Sequence, residues 1–79
     1  MAKSDPSRPH PQLVRFGKDL RAARRRAKLS QDELARLSGV SQGEISVIEA
    51  GAREPGILRV ICLARALHME PADLVRRLR

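Results

Sequence analysis

Seventy-nine residues confine this chain to one small domain, because a chain of that length buries only about 60% of its unfolded surface. One Phe and no Tyr or Trp leave an aliphatic core, and the single cysteine, Cys62, excludes an internal disulfide. Sixteen Lys and Arg against nine Asp and Glu give a net charge of +7, a balance suited to a polyanionic partner.

Residues 1–12 carry three prolines and almost nothing to bury, so a flexible tail is expected there, with the folded domain over 13–79. His10 has no evident partner and is expected to be solvated. From Leu13 the pattern becomes helical: Leu13, Phe16, Leu20, Ala23 and Ala27 fall on one stripe of a helix over about 13–27. Gly17 interrupts that helix at a cost of roughly 1 kcal/mol, which predicts a neighbouring helix packed close to it. The helix ends in Arg21, Arg24, Arg25, Arg26 and Lys28, cations that suit its negative dipole end.

The stretch Ser30–Gly51, SQDELARLSGVSQGEISVIEAG, organises the rest. Ser30 with Glu33, and Ser41 with Glu44, each fit the S-x-x-E capping box, so helices are expected over about 31–38 and 42–50. Gly39 ends the first and turns the chain; Gly51 ends the second. Leu34, Ala35, Val40, Ile45 and Ile48 would meet in the angle between the two helices. Such a pair is a helix-turn-helix, a unit whose second helix can enter the major groove of DNA.

On that assumption each outward residue has a chemical use. Gln42 can pair bidentately with adenine N6 and N7, and Val47 can meet a thymine methyl. Gly43 allows close approach of the backbone to a phosphate or base edge. Glu44 either completes the capping box or accepts from cytosine N4. Gln31 and Ser41, at the two helix starts, are expected at phosphates, as is Arg53 in the following loop. Ser46 reaches a phosphate or faces water. Glu49 lies at the wrong end of its helix dipole and needs a cation, for which Arg24 is the candidate.

A fourth helix over about 57–68 has more apolar surface than one face requires. Ile57, Val60, Leu63, Ala64 and Leu67 make a core stripe, while Leu58, Ile61 and Cys62 form a second flank. With Val75 of a fifth helix, about 71–78, that flank is the expected dimer interface. The fifth helix opens on Pro71, a residue suited to the first helical position.

Read together, FGKDLRAARRRAKLSQDELA, SGVSQGEISVIEAG, REPGILRVICLARAL and EPADL resemble the Cro/repressor-type helix-turn-helix family over about Phe16 to Leu74. The resemblance implies an all-α bundle of five helices, with the third in the groove of double-stranded DNA and a homodimer on a near-palindromic operator. It implies a phosphate contact at Gln31, base-facing positions at Gln42, Gly43 and Val47, and an ion pair between Arg24 and Glu49. His68 departs from the family, whose members commonly place glycine in that left-handed turn. The short form also resembles the controller proteins of restriction–modification systems, dimers that regulate their own operon.

An antitoxin or other protein-interaction module with secondary DNA binding is the alternative. An enzyme is not expected: no nucleophile–base pair, carboxylate pair or phosphate loop is present, and no metal, cofactor or small-molecule ligand is implied. No apolar run reaches bilayer length and no signal-type segment opens the chain, so a cytoplasmic location without membrane contact is expected.

Overall fold

The computed structural model describes residues 10–76, which form five α-helices and, among the described residues, no strand. They are α1 (Pro11–Arg26), α2 (Gln31–Ser38), α3 (Gln42–Glu49), α4 (Ile57–Ala66) and α5 (Pro71–Val75). Residues 1–9 of the expected tail, and 77–79 of the expected fifth helix, lie outside the described residues.

The first helix begins at Pro11, two residues ahead of the expected Leu13. Proline is well placed there, because its missing N–H is one that no helix start can satisfy internally. His10 is exposed as expected, yet it has a partner: it is the N-cap, its Nδ1 accepting from the Gln12 amide at 3.2 Å. A helix that starts at Pro11 therefore takes Gln12 out of the tail.

One aliphatic cluster holds the helices together. Phe16, Leu20 and Ala23 come from α1, Leu34 from α2, Ile45 and Ile48 from α3. Val60, Leu63 and Ala64 of α4, with Val40, Leu67 and Leu74, complete it. The expected stripe on α1 frays at its ends: Leu13 is half-buried, and Ala27, the C-cap, is exposed. Ile57 is not a core residue as expected but 63% exposed. It is the first residue of α4, and that helix reaches the core only one turn later, at Val60.

The close approach predicted by Gly17 is that of α3. A Cβ at Gly17 would lie 2.5 Å from the carbonyl oxygens of both Ile48 and Glu49, so only a hydrogen fits. Three helices end in the same doubly bonded turn, in which the two residues past the cap bond back to the last helical carbonyls. In α1 these bonds run from Lys28 to Arg25 and from Leu29 to Arg24; in α3, from Gly51 to Ile48 and Ala52 to Val47; in α4, from His68 to Arg65 and Met69 to Ala64. The turn requires a left-handed residue, and α1 and α4 use Lys28 (φ 60°) and His68 (φ 56°) for it.

Candidate nucleic-acid interface

The pair α2 and α3 is set by its caps. Ser30 carries a complete capping box: its Oγ accepts from the Glu33 amide at 3.0 Å, and Glu33 Oε1 accepts from the Ser30 amide at 2.9 Å. The Ser30 amide first, and the Ser30 hydroxyl beside the carboxylate second, hold the Glu33 carboxyl below the usual glutamate range. Gly39 then turns the chain in the left-handed region (φ 78°), and Val40 drops into the core. Ser41 caps α3 by accepting from the Glu44 amide at 3.1 Å.

The second box is only half made, which corrects the reading of Glu44 as a cap. Its Oε1 accepts instead from Arg53 Nη1 at 2.7 Å, and its Oε2 faces Arg59 Nε at 3.6 Å. Two guanidinium charges draw the carboxylate more strongly than one neutral amide. Arg59 was not legible as part of the site, because its position depends on how residues 50–56 return the chain into α4.

Burial divides α3 into two faces. Ile45, Ile48 and Glu49 are buried; Gln42, Gly43 and Ala50 are exposed, with Ser46 and Val47 half-buried between them. The outward stripe therefore contains Gln42, Gly43, Ser46 and Val47. Beside it lies a shallow depression lined by Arg21, Arg24, Gln31, Ser46, Glu49 and Ala50. Arg21, whose sequence context suggested only a favourable helix end, adds an exposed positive charge to this rim.

Behind the stripe runs a continuous polar chain. Gln42 Nε2 donates to Gln31 Oε1 at 2.6 Å, and Gln31 Nε2 donates to Glu49 Oε1 at 3.0 Å. Arg24 grips the same carboxylate with Nε at 2.7 Å and Nη2 at 3.0 Å, while its Nη1 donates to the Leu29 carbonyl at 2.9 Å. Arg24 is 8% and Glu49 9% exposed, so this is a buried bidentate pair. The Glu49 hydrogen bond outweighs desolvation and raises the Arg24 pKa further above its ordinary value. It also supplies the cation that the last turn of α3 lacks. The direct link between Gln31 and Gln42 was missed in the sequence, although both occupy the first position of adjacent helices.

The remaining expected positions follow α3 in the chain. Arg53 is exposed in the loop after α3. Leu58 and Cys62 are exposed on α4 with Ile61 half-buried between them, and Val75 is 38% exposed on α5. Among the described residues no helix is long and apolar enough to cross a membrane, and no cluster of three or more His, Cys, Asp or Glu side chains is placed to hold a metal.

Known proteins share this arrangement. The helix-turn-helix family model matches residues 20–74. An uncharacterized HTH-type transcriptional regulator, y4dL of Sinorhizobium fredii, is 51% identical over 51 residues; the match takes in 65% of this chain and 26% of that protein. The chain thus spans about a quarter of the length of that relative. The restriction-modification controller protein C.AhdI from Aeromonas hydrophila is similar at a TM-score of 0.80 and 38% identity, covering 82% of this chain and 98% of the controller. The clp gene regulator ClgR from Corynebacterium glutamicum is similar at a TM-score of 0.78 and 27% identity, over 90% of this chain and 76% of its own. With two capped helices meeting at a left-handed glycine, and a family match over most of its length, the chain belongs to the helix-turn-helix family, of the HTH_3 type found in transcriptional regulators.

Proposed function

We propose that this chain binds double-stranded DNA sequence-specifically and regulates transcription as a homodimer on a near-palindromic operator. The observation that carries the reading is the outward stripe of α3, Gln42, Gly43, Ser46 and Val47, on a body of net charge +7. Gln42 is the principal reader. One N–H of its amide is engaged by Gln31, which leaves the second N–H and the oxygen for adenine N7 and N6. The bond to Gln31 restricts the amide's rotation, so less ordering remains to be done on binding.

Gly43 and Val47 complete the base-facing set, the first by close backbone approach and the second by apolar contact with a thymine methyl. Gln31, Ser41, Ser46 and Arg53 take phosphates, supplying affinity that falls with salt. The likeness to a restriction–modification controller supports a narrower form of the proposal, in which the protein regulates its own operon.

Selection of bound duplexes from a random pool, followed by titration of variants, tests the reading. Gln42→Ala should lose about 1–3 kcal/mol of discrimination at an adenine position. Arg53→Ala should weaken selected and scrambled duplexes alike and lower the salt slope by about one. Unchanged binding by both variants at moderate salt would show that α3 is not the reader.

A further inference from the structure

Resting on that reading, we propose that Glu44 is a positioning residue: it holds Arg53 and Arg59 as a paired phosphate clamp at the flank of α3, and it does not read a base. A carboxylate on a DNA-facing helix is at first sight an obstacle, since it repels phosphates. Yet Glu44 is not turned toward solvent. Its side chain is 18% exposed, and it has abandoned the capping role that its twin Glu33 fulfils. One oxygen accepts from Arg53 Nη1 at 2.7 Å. The other is buried without a hydrogen bond and points at Arg59 Nε, 3.6 Å away.

A buried carboxylate oxygen with no hydrogen bond is unfavourable for folding, so its placement between two guanidinium groups calls for a use. The two arginines come from different elements, the loop after α3 and the first turn of α4. Glu44 ties both to α3. Their side chains remain 58% and 47% exposed, and neither has another partner among the described residues. Each guanidinium carries five N–H donors in a fixed fork, and Glu44 occupies one side of it. The remaining donors of Arg53 and Arg59 are thereby held on one flank of the reading helix, already ordered before DNA arrives. Arg53 and Arg59 act as a unit, and Glu44 sets their spacing.

The decisive feature is a sign. Glu44→Gln raises the net charge from +7 to +8, and if Glu44 only repelled DNA the variant would bind every duplex more tightly. The clamp requires the opposite: binding about fivefold weaker for selected and scrambled duplexes alike, the scale of ordering a freed long side chain at an interface. The slope of log affinity against log salt should also fall by about one. In an Arg53→Gln, Arg59→Gln background the same change at Glu44 should have no further effect, because the groups it acts through are gone.

Circular dichroism and thermal unfolding of each variant establish that it is folded before its binding is read; if Glu44→Gln does not fold, the Arg59→Gln variant alone carries the test, with the same uniform weakening and lower slope expected. Tighter or unchanged binding by the folded variant overturns the clamp. So does a loss confined to the selected duplex, which would make Glu44 a base reader. If the wild-type chain binds no duplex at all, the underlying DNA-binding reading fails instead.

Discussion

At the scale of single residues, two glycines on neighbouring helices have opposite reasons for being small. Gly17 faces the carbonyls of Ile48 and Glu49, and any Cβ there would force α1 and α3 apart. Gly43 has nothing within 4 Å of where its Cβ would stand. Gly17→Ala should therefore destabilise the fold by about 3 kcal/mol, in the range of a forced core overpacking. Gly43→Ala should stabilise it by about 0.5–1 kcal/mol, the ordinary gain of replacing glycine within a helix. Urea unfolding of the two variants measures both, and a milder effect at Gly17 than at Gly43 would contradict the packing described. The glycine at 43 thus gives up stability with no packing need, which fits a position where the backbone must approach a ligand.

Elements show which parts of the fold are written locally. The starts of α2 and α3 were legible because Ser30, Glu33 and Ser41 act within one turn of chain. Arg24 and Glu49 were legible as partners for a different reason: a carboxylate at the negative end of a helix dipole calls for a cation. The capping reading of Glu44 and the core reading of Ile57 failed because their surroundings are set by the path of residues 50–56, which no periodicity encodes. The start of α1 was misread because proline was weighed as a helix breaker when, at the first position, it is a helix starter.

The capping box also makes α2 pH-sensitive. Glu33 has a folded-state pKa below its unfolded value, so the unfolded chain takes up the proton first. Its contribution is complete above the ordinary glutamate range and is lost as pH falls through the depressed value. Glu33→Gln keeps a side chain that serves in the box but removes this titration. Wild type should lose more stability than the variant on acidification from about pH 5. Parallel urea titrations across that range check it, since the other carboxylates titrate in both proteins; identical losses would mean the box does not act through charge.

For the whole molecule, the question is what the apolar residues outside the core are for. Leu58 is 74% exposed and Ile57 63%, in a domain whose buried core among the described residues is eleven aliphatic side chains and one Phe. Leu58 and Cys62 lie one turn apart on a flank of α4 that no described residue covers, and Val75 extends the apolar surface onto α5, which packs against α4. On the function proposed above, a second copy is the occupant that also meets the requirement of a two-fold operator. A two-fold interface is self-complementary, and it would set two α3 helices to successive major grooves about 34 Å apart. Leu58→Glu places a charge in that interface without touching the core, so the fold should change by no more than about 0.5 kcal/mol. Sedimentation should find the wild type dimeric at micromolar concentration and the variant monomeric, with unchanged circular dichroism. Binding to a full palindromic operator should then fall by about a hundredfold or more as the second half-site ceases to be an intramolecular event. Binding to an isolated half-site should fall far less, by no more than the loss of one unit of charge brings, because α3 and its phosphate contacts are intact. A variant that remains dimeric would move the interface elsewhere on the surface, and a wild type that is monomeric while still preferring the palindrome would locate the pairing of half-sites in the DNA complex alone.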